Sequence, residues 1–270
     1  MKFKNFNNKF DKIESTESIE DRETLMARLI GLLLTDGGLS VISGRRRFHF
    51  TSNSEQLTRE FSYLIKRLFN LSTKPRIRNG AYHIVVWISK KVRDEMFSYS
   101  KTYRKLAYDK RNGNYPKTVI PEFIIQNEQL AREFLKYAFT ADGSIIFNIG
   151  KARYGFRFDR CVKLYCEHPN LRIQYIKLLE KLGYKVSVWK DQIILRKPEN
   201  LTKFSKEIGF VENVKISGKG LWKGFNKSDL LRFSADSYNT VIPSRLGKNK
   251  SEIHNNLIKL LASKAGNQMI

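Results

Sequence analysis

Two aspartates, Asp36 and Asp142, each close an apolar stretch and are each followed by glycine. The first stretch, Arg-Leu-Ile-Gly-Leu-Leu-Leu-Thr-Asp-Gly-Gly at residues 28–38, is apolar almost without a break from Leu25 to Leu34, and Gly31 is its one gap in side-chain volume. A surface helix keeps a polar face, so this pattern predicts a helix buried on every side, running from about Arg22 to Asp36. Gly37 and Gly38 are expected to stop it in the left-handed conformation. A carboxylate at the negative end of a helix dipole is unfavourable by itself, and a bound divalent cation would reverse that sign. Asp-Gly after an apolar run is commonly no more than a turn. Here the pattern returns as Phe-Leu-Lys-Tyr-Ala-Phe-Thr-Ala-Asp-Gly at residues 134–143, which places the second aspartate 106 residues after the first, about one small domain away.

The elements that must position such a pair follow from the rest of the chain. It has 270 residues, room for one large or two small domains. Hydrophobic residues make up 41%, enough for a globular fold. No apolar run reaches the roughly 18 residues of a membrane helix, and the first residues lead into no signal peptide, so an intracellular protein is expected. Cys161 and Cys166 have neither the spacing nor the His partners of a zinc site, and free thiols are expected. His49, His83, His168 and His254 are scattered singly and read as packing or surface residues. The formal charge is +24, from 50 Lys and Arg against 26 Asp and Glu. An excess of that size works against a compact fold unless a polyanion is part of its life, and basic residues interleaved with aromatics point to nucleic acid.

In order, residues 1–21 read as a loose lead-in. After the first helix come a short strand at Leu39–Ile42 and a second at Arg45–Thr51. In the second, Arg45, Arg47, His49 and Thr51 share one face and Phe48 and Phe50 the other. A helix capped by Ser54 follows, with Leu57, Phe61, Leu64, Ile65 and Leu68 on its apolar face. A hairpin over Lys74–Arg78 and Tyr82–Ile88 turns at Asn79-Gly80, and a third helix runs from Ser89 to Tyr99. Residues 100–127 form a basic linker. The order then repeats: a helix at Glu128–Asp142, strands at Ser144–Ile149 and Arg153–Cys166, a helix opened by Pro169, a hairpin over Tyr184–Trp189 and Gln192–Arg196, and a helix at Leu201–Ile208. The fold class is therefore α+β, a duplicated αββαββα unit with antiparallel sheets, with halves at 22–99 and 128–210. Residues 211–270 have no counterpart in the first half. Helical patches at Ser228–Ala235 and Glu252–Ser263 form an appendage that either packs on the second half or extends a nucleic-acid contact.

With two helix-Asp-Gly stretches, each opening an αββαββα unit, the chain resembles the two-motif, monomeric LAGLIDADG homing endonucleases. Leu29–Gly37 matches the first motif and Leu135–Gly143 the second, although Thr140 replaces an acid and Tyr137 replaces the motif glycine, so that close helix approach is expected to rest on Ala138 and Ala141. The resemblance implies a pseudo-two-fold saddle over double-stranded DNA, with the motif helices packed at its centre at roughly 8–10 Å. Asp36 and Asp142 would be the catalytic and metal-binding residues, using Mg²⁺ or Mn²⁺ to cut both strands of a long, asymmetric site, with Ca²⁺ supporting binding without cleavage. The family places a basic residue beside the metals, but the junctions Thr51-Ser52-Asn53-Ser54 and Cys166-Glu167-His168-Pro169 hold no lysine. Ser52, Asn53 and Glu167 could order water there, and Lys117 and Lys215 are the nearest matches to the family's other option, a catalytic lysine after the third helix of each half. The strands would read the major groove through Arg45, Arg47, His49, Arg76, Arg78, Arg153, Arg157, Lys163, Lys185, Gln192 and Arg196. The linker's Arg104, Lys105, Lys110 and Arg111 would hold phosphates. Met1 and the lack of a terminal His-Asn pair set the expectation of an intron-encoded or free-standing enzyme. The alternative on the same scaffold is an RNA maturase or a DNA-binding regulator without cleavage.

Overall fold

A computed structural model describes residues 20–42, 44–218, 220–238 and 240–266. The expected lead-in falls outside that range except for Glu20 and Asp21. The first repeat comprises α1 (Arg22–Leu33), β1 (Gly37–Ile42), β2 (Arg45–Ser52), α2 (Glu55–Phe69), β3 (Arg76–Arg78), β4 (Ala81–Trp87) and α3 (Lys90–Tyr99). A short helix, α4 (Glu122–Gln126), stands in the linker, where the sequence reading had no helix. The second repeat comprises α5 (Glu128–Asp142), β5 (Gly143–Lys151), β6 (Phe156–Tyr165), α6 (Pro169–Lys181), β7 (Ser187–Trp189), β8 (Gln192–Leu195) and α7 (Pro198–Glu207). After it come α8 (Lys227–Asp236), α9 (Pro243–Leu246) and α10 (Lys250–Gly266). The molecule is α+β, with two antiparallel four-stranded sheets ordered β1-β2-β4-β3 and β5-β6-β8-β7.

Local chemistry accounts for most boundaries. Ser54 accepts from the Leu57 amide at the start of α2, and His168 does the same for Leu171 at the start of α6, where Pro169 occupies the first turn. Asn79 and Gly80 both have positive φ (51° and 76°), the geometry of a tight hairpin, so β3 and β4 pair as the dipeptide predicts. Arg153 falls in the β5–β6 turn, ahead of the strand expected to begin with it.

Two expectations at the first motif are corrected. The helix stops at Leu33, and Asp36 lies in the turn between α1 and β1. Gly37 and Gly38 do not adopt positive φ but enter β1 directly. They are glycines because of close approach: a Cβ at Gly37 would lie 3.0 Å from the Leu32 carbonyl, and one at Gly38 would lie 2.7 Å from the His49 ring. Gly143 is similarly confined, since a Cβ there would meet the Phe139 carbonyl oxygen and the Lys163 carbonyl.

The two repeats meet along α1 and α5, which pack against each other at the centre. Leu25, Met26, Leu29, Ile30, Leu32 and Leu33 are buried on α1, and Phe134, Leu135, Ala138 and Phe139 on α5. Burying each large side chain contributes roughly 1.5–3 kcal/mol. Close approach rests on Gly31 rather than on the α5 alanines alone. A Cβ at residue 31 would lie 2.7 Å from the Phe134 carbonyl oxygen and 3.1 Å from Tyr137 Cβ. Tyr137 is accommodated because it faces Gly31, and its hydroxyl reaches out of the seam to donate to Glu60 at 2.8 Å. Arg28 ties the same seam through Glu133 (2.6 Å) and Glu20 (2.7 Å).

The helices after α7 pack on the second repeat, α8 and α10 against β5 and α9 against β6. Trp222 stacks on Phe147, and its indole N–H donates to the Phe147 carbonyl at 2.6 Å. Arg160, on the helix-facing side of β6, lies over Phe147, Phe158 and Tyr238 and donates to Ser237 Oγ at 2.9 Å.

Alanine is a better helix former than glycine by about 1 kcal/mol, so helix propensity alone would make Gly31→Ala stabilising. The contact with α5 predicts the opposite, a net loss of roughly 1–3 kcal/mol, read as a lower urea midpoint. An unchanged or raised midpoint would mean that the helices do not touch there.

Candidate active site and nucleic-acid interface

The packing of α1 on α5 delivers the two aspartates to one place. Asp142 is the last residue of α5, and Asp36 stands just past the end of α1. Burial, and then the charge of Asp142, push the Asp36 carboxyl up to about 6, against the opposing pull of Lys105, Lys227 and a hydrogen bond from Ser52. Two like charges in one low-dielectric place resist joint ionisation, as expected of carboxylates held side by side.

The cations at this centre are not the ones anticipated. Lys105, expected to hold phosphate, instead places its ammonium 2.6 Å from Asp142 Oδ2. Lys227, the first residue of α8, donates to the carbonyls of Thr140 (2.6 Å) and Gly143 (2.8 Å) and so caps the C-terminus of α5. Burial lowers its pKa to about 8, while Asp36 and Asp142 act to raise it. Thr140, which stands where the motif has an acid, accepts from the Val211 amide at 2.9 Å. The segment after α7 thus helps to build the site.

Two cavities flank the pair. One, of about 240 Å³, adjoins Asp36 and is lined by Ser52, Asn53, Thr140, Lys215 and Lys227 among others. The other, of about 50 Å³, adjoins Asp142 and is lined by Lys105, Glu167 and Tyr175 among others. Lys215 is therefore near Asp36, whereas Lys117 is exposed on the linker and lines neither cavity. Glu167 pairs with Lys110 at 2.8 Å. Lysines do follow the third helix of each repeat, but Lys105 and Lys227 reach the acids. No local pattern marks them, because each meets its partner across dozens of residues of folded chain.

Among the described residues no group of three or more His, Cys, Asp or Glu side chains could hold a metal. Asp36 and Asp142 are the two carboxylates at this centre, hard oxygen donors of the kind that Mg²⁺ or Mn²⁺ binds together with water. His168 has a structural job: Nδ1 accepts from the Leu171 amide, and Nε2 lies 2.8 Å from the Pro116 carbonyl. Cys161 and Cys166 are buried free thiols.

Strand register places Arg45, Arg47 and His49 on the sheet face away from the helices, with Arg76 and Arg78 on the same face through their pairing with β4. Arg47 stacks over Trp87 at 5.7 Å, and Arg45 lies 6.0 Å from the same ring. His49 is half-buried against Gly38, and burial followed by Arg47 lowers its pKa, which leaves it a neutral ring. In the second sheet Arg157, Lys163 and Gln192 share the outer face, with Arg157 paired to Asp159 at 3.0 Å. Arg153, Lys185 and Arg196 are exposed beside these strands.

Residues 23–99 match a family described as a LAGLIDADG-like domain. The first repeat is a LAGLIDADG-like domain. A mesophilic variant of the homing endonuclease I-DmoI has a similar structure, with a TM-score of 0.50 and 17% identity over 69% of this chain and 96% of that one. Full-length DUF199/WhiA from Thermatoga maritima is also similar, with a TM-score of 0.50 and 15% identity over 93% of this chain and 71% of that one. At such identities both show a shared LAGLIDADG fold. Curated proteins give no match in sequence. Among the described residues no helix is long and apolar enough to cross a membrane.

The raised Asp36 pKa has a signed consequence for stability. The folded carboxyl (about 6) holds its proton more tightly than the unfolded one (3.8), so its ionisation opposes folding. The penalty is absent below about pH 4, grows between pH 4 and 6, and is complete above. In chelator, Asp36→Asn should raise the melting temperature at pH 7–8, corresponding to roughly 1–3 kcal/mol, and the gain should shrink towards pH 4. A pH-independent difference in calorimetric scans would contradict the assignment.

Proposed function

We propose that this chain is a site-specific endonuclease of the homing type, making a metal-dependent double-strand break in a long, asymmetric duplex target as a monomer. The observation that carries this reading is the carboxylate pair at the junction of α1 and α5, where Asp36 is pushed up to about 6 partly by Asp142. A fold that only bound DNA would gain nothing from two partly buried acids near phosphates. The fold likeness to I-DmoI supports the same reading.

In this account Asp36 and Asp142 would hold the divalent ions, and Ser52 orients Asp36. A bound Mg²⁺ or Mn²⁺ would supply a more acidic water and charge to stabilise the phosphorane-like transition state. Lys105 fixes Asp142, and Lys227 keeps the end of α5 in place while offsetting the repulsion between the acids. One acid served by each repeat matches one cut in each strand. The outer sheet faces lie in successive major grooves, where Arg45, Arg47 and Gln192 contact base edges and Arg76, Arg78, Arg153, Arg157, Lys163, Lys185 and Arg196 mix base and phosphate contacts. Repeats that have diverged this far call for an asymmetric target.

A second reading, an RNA maturase or DNA-binding regulator that does not cut, is favoured by the two strand-to-helix junctions, neither of which holds a lysine. Lys105 and Lys227 weigh against it, because they bring cations to the acids by another route.

Incubation with randomised duplexes and host-locus DNA decides between the two. Discrete double-strand breaks that require Mg²⁺ and disappear in Asp36→Asn and Asp142→Asn are expected. Tight binding without cleavage under any metal would establish the second reading. DNA affinity should also fall steeply with salt, about 10³–10⁵-fold between 50 and 200 mM if 6–10 phosphates are contacted. A flat salt profile in a fluorescence titration would argue against the phosphate contacts.

A further inference from the structure

One of the differences between the two repeats around their acids lies in a buried layer. Phe50 pairs with Gly37 across β1 and β2, and Leu164 pairs with Gly143 across β5 and β6, so the two occupy equivalent places. Counting from the helix caps Ser54 and His168, Phe61 and Tyr175 are equivalent in the same way. In the first repeat the two rings stack, with centroids 4.6 Å apart and planes 6° apart, and fill the layer. In the second, the smaller Leu164 leaves ring volume unfilled, and Tyr175 stacks on Phe134 at 5.5 Å instead.

The result is the cavity of about 50 Å³ beside Asp142, whose lining includes Thr35, Lys105, Asp142, Leu164 and Tyr175. Tyr175 is 1% exposed, and its hydroxyl has no hydrogen-bond partner among the described residues. A buried phenol O–H without a partner is uncommon, and this largely apolar cavity, on whose wall Tyr175 meets Lys105 and Asp142, exceeds the roughly 10–15 Å³ that a water molecule needs. Lys105 already takes Asp142 Oδ2, leaving the other oxygen to a different donor. Burial above all, then the charges of Cys166 and Asp142, holds the phenol pKa well above its ordinary value, so the hydroxyl keeps its proton.

We propose that Tyr175 is a positioning residue whose hydroxyl fixes a water molecule against the Asp142 carboxylate. The second acid then carries an enclosed, tyrosine-held water site in a layer that Phe50 and Phe61 fill in the first repeat, where Asp36 faces only the open cavity beside Ser52 and Asn53, and the two cleavage centres are unequal by construction. This consequence for cleavage rests on the endonuclease reading above. Asp142 is clamped by Lys105 and by the Tyr175-bound water, and Asp36 is held by the fields of Lys105 and Lys227 and by Ser52. Loss of the hydroxyl therefore affects the strand served by Asp142 and spares the other.

Two measurements on the full chain test this. A high-resolution crystal structure is expected to show a water within about 2.5–3.0 Å of both Tyr175 Oη and an Asp142 oxygen. A dry cavity, or Oη bonded directly to a protein group, overturns the proposal. In strand-resolved cleavage, Tyr175→Phe is expected to slow one strand about tenfold or more, the usual scale for loss of an outer-shell partner. Nicked duplex then accumulates, while the other strand's rate and the DNA affinity stay close to wild type. Equal slowing of both strands, or of neither, overturns it. If the wild-type chain cuts no DNA, the endonuclease reading fails, and the electron density alone decides the water site.

Discussion

The contact between α1 and α5 at Gly31 is the constraint on which the rest depends. Backbone meets backbone there, because a single methylene at residue 31 would run into the Phe134 carbonyl. That closeness brings the end of one helix beside the end of the other, and with them the two acids. Tyr137 and Arg28 then lock the seam from outside, through Glu60 on one side and Glu133 and Glu20 on the other. The same contact sets one sheet on each side of the centre, each turning a basic face away from the helices. The placing of the two acids and the placing of the two basic faces thus share one origin.

Electrostatics at the centre comes from parts of the chain with no place in the repeat. Lys105 arrives from the linker and Lys227 from the segment after α7, each reaching acids or backbone carbonyls of the other elements. Within a protein of net charge +24, an acidic pair is the local exception. It stays folded because lysines and helix-end hydrogen bonds offset its repulsion. The segment after α7 therefore both covers the second sheet with Trp222 and Phe233 and completes the centre.

Much of this was legible in the residues. Unbroken apolarity from Leu25 to Leu34 announced a helix buried all round, and the alternation over Arg45–Thr51 announced a two-faced strand. Asn79-Gly80 marked its hairpin. These are local patterns, and local physics decides them. The roles of Gly37 and Gly38 were misjudged because a glycine needed for space looks the same in sequence as one needed for a left-handed turn. The role of Lys105 beside Asp142, and Lys227 altogether, escape the sequence for a different reason: their partners are defined only by the fold, 37 residues away for Lys105 and more than 80 for Lys227. Lys117 and Lys215 rest on the family resemblance alone, and of the two only Lys215 lies beside an acid's cavity.

The central claim is that the helix contact holds Asp36 and Asp142 close enough to feel each other's charge. The most direct measurement is a ¹³C NMR titration of the aspartate carboxylates in metal-free protein, in the wild type and in Asp142→Asn. The account predicts that Asp36 titrates near 6 in the wild type and moves down towards the ordinary carboxylate range when the charge of Asp142 is removed. An ordinary value in the wild type, or one that the substitution leaves unmoved, would mean that the two acids are not a pair.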